Sequence, residues 1–323
     1  MSTVLSIYIK NLAMNISKKL LIVNVAFFAS IQVYGQDSLA PDFYGRININ
    51  AEMEDPANGD SSTDIVSNAS RLGVRGGTEI NDGLELIYQL EYEVNPDDGD
   101  SNGRTLKQRN SYLGFRGSYG TILAGRHDTP AKMAQNRIDL FNDMIGDIKN
   151  VLDGENRVDD IIMYTTPNNS GFSASLATIA GGDDENFTNS ISASVSYENE
   201  SFYASLGLDS EVKNKAVVRF VTQFYLGNLT LGALFQESED TQDPLADDED
   251  GSFVSAAYKI DQYTLKIQFG ESDQKALGKE QLSAGFDYKL GDNTKLFTYY
   301  THFDADNAVI EADHYGVGFE HRF

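Results

Sequence analysis

Residues 43 to 52 read Phe43-Tyr44-Gly45-Arg46-Ile47-Asn48-Ile49-Asn50-Ala51-Glu52. Phe43, Gly45, Ile47, Ile49 and Ala51 fall on one side, and Tyr44, Arg46, Asn48, Asn50 and Glu52 on the other. Side chains of a strand point alternately to its two faces, so this segment sets one face in an apolar medium and the other in water. Residues 84 to 94 repeat the pattern, with Leu84, Leu86, Tyr88, Leu90, Tyr92 and Val94 opposite Glu85, Ile87, Gln89, Glu91 and Glu93. A soluble sandwich also presents such faces, so the choice rests on how the segments are connected.

Sixteen segments of this kind follow one another: 42–52, 70–80, 84–94, 108–117, 120–127, 159–167, 171–180, 190–198, 201–209, 215–226, 229–236, 252–260, 263–271, 280–290, 294–303 and 314–323. Very short connections (81–83, 118–119, 227–228, 261–262) alternate with long ones (53–69, 95–107, 128–158, 237–251). An even number of strands with turns at one rim and loops at the other is the pattern of a membrane barrel. The sequence therefore predicts an all-β fold, a transmembrane antiparallel β-barrel of sixteen strands. The long connections are acidic and turn-rich, as in residues 95–102 (NPDDGDSN), 181–186 (GGDDEN) and 237–250 (ESEDTQDPLADDED), and are expected to be solvated extracellular loops. None has the ligand spacing of an EF-hand, and no metal site is expected.

The chain carries 49 acidic and 25 basic residues, a net charge of −24, which argues against nucleic acid as a partner and favours cations in an aqueous channel. It contains no cysteine, so neither disulfides nor thiolate-held metal support the fold. Past residue 35 there is no apolar run approaching the ~20 residues of a helical span. Before that point Lys18 and Lys19 precede the apolar run from Leu20 to Ile31, and Val33-Tyr34-Gly35 offers a cleavage site before Gln36. This is the pattern of a cleaved export signal over 1–35, best formed from Met14, with 1–13 an upstream extension. Residues 36–323 are the barrel. Of the four histidines, His127, His302, His314 and His321, none sits in a recognisable catalytic motif, and neither enzymatic activity nor a cofactor is expected.

The last segment sets Tyr315, Val317, Phe319, His321 and Phe323 on one face. A terminal aromatic with apolar residues at Tyr315, Val317 and Phe319 resembles the signal read by the assembly machinery of Gram-negative outer-membrane barrels. Phe43-Tyr44-Gly45-Arg46, Ser70-Arg71-Leu72-Gly73-Val74-Arg75-Gly76 and Gly125-Arg126-His127-Asp128-Thr129-Pro130 resemble segments of the Gram-negative general diffusion porins. The resemblance covers essentially the whole mature chain. It implies a homotrimer in the outer membrane of a Gram-negative bacterium, in contact with lipid and lipopolysaccharide, and a loop after the fifth strand that folds inward and narrows the barrel.

That loop is the longest, 128–158. Within it Ile138, Phe141 and Ile145 have helical spacing, and Asp139, Asp143 and Asp147, at i, i+4 and i+8, are expected on one helical face. Arg46, Arg71, Arg75 and Arg109 have the parity of the inner wall. The resemblance assigns Arg46, Arg71, Arg109 and Arg157 to the basic wall of the constriction, and Asp139 and Asp143 to the acids facing it. Asn142-Asp143-Met144-Ile145-Gly146-Asp147 replaces the Pro-Glu-Phe-Gly-Gly run common in enterobacterial relatives, so the loop takes its own shape. Opposed rows of charge order water and align dipolar solutes. The expectation is a water-filled channel for passive diffusion of small hydrophilic solutes and ions, weakly cation-selective. The alternatives are a substrate-specific channel or a structural or adhesive surface barrel.

Overall fold

The computed structural model describes residues 41–98, 106–180, 190–243, 245, 247–275, 280–304 and 311–323. The export signal expected over 1–35 and the acidic run 181–186 lie outside these residues.

In chain order the strands are β1 Asp42–Pro56, β2 Ser62–Ser67, β3 Arg71–Asn81, β4 Leu84–Val94, β5 Leu106–Gln108, β6 Ser111–Gly117, β7 Gly120–Asp128, β8 Arg157–Thr165 and β9 Phe172–Ile179. They continue as β10 Ser190–Glu198, β11 Phe202–Val212, β12 Lys215–Leu226, β13 Leu229–Asp240, β14 Glu249–Ile260, β15 Tyr263–Ser272, β16 Glu280–Lys289, β17 Thr294–Asp304 and β18 Ala312–Arg322. Every neighbouring pair is antiparallel, and β18 returns to β1 in a register running from Arg46↔Arg322 to Pro56↔Ala312. A sheet closed in this way has no unpaired edge, the condition for a β-structure to stand in lipid.

Eighteen strands among the described residues make sixteen staves, because two staves are interrupted. β2 and β3 both lie along β1, β2 against its upper half and β3 against its lower. β5 and β6 share β4 in the same manner. The first break falls at Asn68-Ala69-Ser70, where Ala69 takes a φ of 47°, and the second at Arg109-Asn110.

Alternation places the two faces as the sequence predicts. Leu72, Leu113, Phe220, Ile267 and Val317 project outward and stay exposed, whereas Asn48, Asn50, Ser192, Gln223, Gln268 and Ser283 point inward and are buried. Polar side chains inside an apolar belt invert the soluble arrangement and fit lipid outside. The barrel closes tightly at its seam. Gly45 stacks under the ring of Phe323, where any Cβ would collide with the aromatic, and the two residues exchange backbone hydrogen bonds of 2.9 and 3.1 Å.

One loop expectation is corrected. The acidic run 237–250 is strand at both ends, since β13 continues to Asp240 and β14 begins at Glu249 with Glu237 opposite Asp250. At the long-loop end, β11 and β12 are joined by Lys213 and Asn214 alone, both at positive φ (52° and 63°), the conformation of a tight hairpin turn.

Candidate functional site

The connection from β7 to β8 spans residues 129–156 and packs against inward-facing side chains of the strands opposite. It opens with a single helical turn, α1 Pro130–Met133, capped by Thr129, whose hydroxyl accepts from the Lys132 N–H at 3.3 Å. The helix expected over 138–150 does not form. Its place is taken by a chain of turns ending in a 3₁₀ turn at Ile148–Asn150. Aspartates bind nearby backbone N–H groups in competition with helix, and here they do so twice. Asp139 accepts from the N–H groups of Phe141 (3.0 Å) and Ile148 (3.1 Å), and Asp147 from those of Asp143 (2.7 Å) and Lys149 (2.8 Å). Asp143 itself adopts a φ of 69°. The three carboxylates therefore do not share a face: Asp139 and Asp147 are turned into the loop as its scaffold, and Asp143 alone reaches the arginines.

One side of the lumen anchors this loop. Ile138, Ile148, Val151 and Leu152 pack on Tyr203, Val221, Leu234 and Phe253, and Phe141 and Met144 pack on Phe297 and Tyr299. Between these two clusters neutral amides hold the backbone. Gln268 accepts from the Leu140 N–H (2.9 Å) and donates to the Gly146 carbonyl (2.6 Å), which also accepts from Gln281 (2.6 Å). Lys266 donates to the Leu140 carbonyl (3.2 Å), with its ammonium 4.5 Å from the centre of the Phe141 ring. Arg219, fully buried, donates to Glu155 (2.6 Å), Gln236 (2.7 Å) and the Asp153 carbonyl (2.8 Å).

The other side carries the charge. Arg46 donates to Asp143 at 2.7 Å, Arg71 donates to the same oxygen, and Arg109 lies 3.8 Å from the second carboxylate oxygen. The two strand breaks aim these groups. At the first, the freed carbonyls of Asn68 and Ala69 accept from Arg46 (2.8 and 3.2 Å), and that of Ala69 also accepts from Arg71 Nε (3.1 Å). At the second, Arg109 sits in the gap and donates to Glu91 (2.9 Å) and Glu93 (2.8 Å). Burial opposes ionisation of Asp143, but the guanidinium groups of Arg71, Arg109 and Arg46 outweigh it and hold the carboxyl at about 2. Burial and repulsion from Asp147 push Asp139 the other way, well above the usual carboxylate range.

Arg75 and Arg157 stand outside this cluster. Arg75 is displaced along β3 toward the short-turn end, where it is exposed, pairs with Asp42 (2.9 Å) and lies over the Tyr44 ring. Arg157 braces the foot of the loop through Asp128 (3.1 Å) and Asn110 (2.7 Å). Sequence reading missed Glu91, Glu93 and Glu320, the last 3.7 Å from Arg46, although Glu91 and Glu93 share the inner face of β4. It also missed the glutamines, whose inward parity was readable but whose loop partners lie more than a hundred residues away. Arg126, of ambiguous parity, sits at a bulge in β7 between Gly125 and His127, and it pairs with Asp159 (2.7 Å).

Between the loop and the arginine wall lies a cavity of about 740 Å³ lined by nine basic and seven acidic side chains. Among the described residues no group of three histidine or carboxylate side chains is arranged to hold a metal. A closed barrel with an apolar exterior and a charged, partly filled lumen defines the class of membrane channels.

Comparison with known proteins gives the family. The Gram-negative porin family matches residues 20–308, and the chain belongs to it. Outer membrane porin protein 32 of Delftia acidovorans is 27% identical over 312 residues, covering 87% of this chain and 88% of the relative. Among solved structures, the anion-selective porin from Comamonas acidovorans superposes with a TM-score of 0.73 at 23% identity, over 88% of this chain and 99% of that one. Salmonella typhi OmpF gives 0.71 at 18% identity, over 88% and 97%.

Proposed function

We propose that the chain forms a water-filled pore for passive diffusion of small hydrophilic solutes and ions across the outer membrane. The observation that carries this reading is the convergence of Arg46, Arg71 and Arg109 on Asp143, a residue of the loop rather than of the wall. Charges fixed on two sides of a narrowing set up a field across the path, which favours polar over apolar solutes of equal size. No bond is made or broken, and the residues that hold Asp139 and Asp147 act by keeping Asp143 in place.

The net charge of −24 favours cations, but local charge at the passage acts within a Debye length of about 8 Å, and exposed loops beyond it are screened. Nine basic groups against seven acidic line the cavity, and burial together with repulsion from Asp147 opposes the ionisation of one of the acids, Asp139. We therefore assign a weak preference for anions, in place of the cation preference expected from composition. A solved neighbour described as anion-selective supports the same sign. The family resemblance supports a homotrimer surrounded by lipid and lipopolysaccharide, delivered by barrel-assembly machinery that reads Tyr315, Val317, Phe319 and Phe323. These four project outward and are exposed, accessible to such a reader.

The test is single-channel recording in planar bilayers with a potassium chloride gradient. Stepwise openings in groups of three, with a reversal potential of anion sign, support the reading. A silent barrel, despite correct folding, rejects it in favour of a structural surface protein. Saturation by one sugar at low concentration rejects it in favour of a substrate-specific channel.

A further inference from the structure

The surplus of positive charge in the passage is not at the narrowing. There Arg46, Arg71 and Arg109 face four carboxylates, Asp143, Glu91, Glu93 and Glu320, so no positive charge is left over. The surplus lies on the long-loop side of the same cavity, where Lys213, Lys132 and Arg126 come together from three separate elements: the β11–β12 turn, α1 and β7.

Their ion pairs leave charge over. Arg126 is paired with Asp159, itself two-thirds exposed, and Lys132 shares the single carboxylate of Asp128 with Arg157, at 3.2 and 3.1 Å. Asp209 is buried behind Asn156, which donates to it at 3.1 Å. Among the described residues no carboxylate lies within ion-pair distance of Lys213. Burial, then repulsion from Arg126 and Lys132, draw the Lys213 ammonium below the usual lysine range, as expected where the local potential is positive.

The backbone places Lys213 at the edge of the opening. With two residues in the turn, β11–β12 is the shortest connection at the long-loop end, so the wall stops at the strand tips there. Positive φ at both turn positions makes this a tight hairpin that presents Lys213 at the lip.

We propose that Lys213, Lys132 and Arg126 form an anion-capture site at the long-loop mouth, which takes small doubly charged anions such as inorganic phosphate or a short dicarboxylate. A dianion offsets the mutual repulsion of three cations that share too few acids, and its oxygens accept from all three heads at once; a halide does this only in part. From this site the path leads to the narrowing, where the transverse field orients the solute without trapping it. The inference rests on the diffusion-pore reading.

The experiment measures chloride current through the full reconstituted protein while phosphate or succinate is added on the long-loop side. Wild type is expected to show saturable block by either dianion. Lys213→Glu raises the half-blocking concentration roughly tenfold and moves the reversal potential toward cations, with Lys213→Gln in between. Lys289→Glu, at the opposite rim, leaves both unchanged. A conducting pore whose block is the same in wild type and Lys213→Glu, or one blocked by neither dianion, overturns the capture site and leaves the pore reading standing. If wild type does not conduct, the pore reading fails on its own. Calorimetric titration of phosphate into the detergent-solubilised protein then decides the site: heat lost in Lys213→Glu supports it, and equal or absent heat overturns it.

Discussion

The two walls of the lumen solve different problems with different chemistry. From β11 to β17 the wall holds the loop with aliphatic and aromatic side chains, neutral amides and two buried cations, Arg219 and Lys266, each paired with a carboxylate. From β1 to β7 it offers arginines with carboxylates, and it faces the cavity. Amides grip a backbone without adding a field. The ionic wall carries the field but gains little net stability from it, because desolvation of each ion offsets much of its attraction. Holding and filtering are thus separated across the barrel, with the loop as the one element that touches both.

That separation is open to attack at several strengths. Phe141→Ala, which empties a buried ring site between Phe297, Tyr299 and Lys266, is expected to cost about 4 kcal/mol in urea unfolding of the reconstituted protein and to make the loop susceptible to protease. Arg219→Met, which leaves Glu155 without its cation and the Gln236 side-chain oxygen without its donor, is expected to cost about 3 kcal/mol, with part recovered when Glu155→Gln is added. If both variants unfold like wild type, the anchoring wall is not an anchor.

Asp143→Asn tests the other wall. Its carboxyl is held at about 2 against an ordinary 3.8, so the stabilisation from its ionised form is complete above about pH 4 and disappears as the pH falls through about 2. Wild type should exceed Asp143→Asn by about 2 kcal/mol at pH 7, with the gap constant down to about pH 4 and closed near pH 2. The variant should also move the reversal potential further toward anions. A gap that already closes near pH 5 would mean that the arginines do not hold this acid. The smallest effect is expected from Arg75→Gln, within about 1 kcal/mol and with no change in selectivity, since its pair with Asp42 is exposed and lies outside the cavity. A changed selectivity there would extend the charged wall toward the short-turn end.

Period-two alternation made the barrel legible because a strand between lipid and water has to alternate, and Phe43 to Glu52 carries that rule without interruption. Arg46, Arg71 and Arg109 were legible for the same reason. The loop was not. Asp139, Asp143 and Asp147 have helical spacing, but short side chains that bind their own backbone can replace each helical hydrogen bond, and Gly146 and a left-handed Asp143 complete the departure. Gln268 and Gln281 read as ordinary inward polar residues; only the fold brings them to the Gly146 carbonyl. The staves broken at Ala69 and Arg109 were likewise invisible, since nothing in composition marks where a strand will surrender its carbonyls to a neighbouring arginine.

The seam between β1 and β18 bears on how the chain reaches this state. Asn48 donates to Glu320 across 272 positions, and Gly45 and Phe323 exchange backbone bonds beside it. Pairing at such separation is slow, because the entropy of closing the ring is lost before any contact across it forms. Until then both strands are open edges able to pair with any other chain. The barrel's completion is therefore a timed event, and a chain kept apart from its copies until the first and last staves meet avoids the aggregation to which an unclosed sheet is exposed.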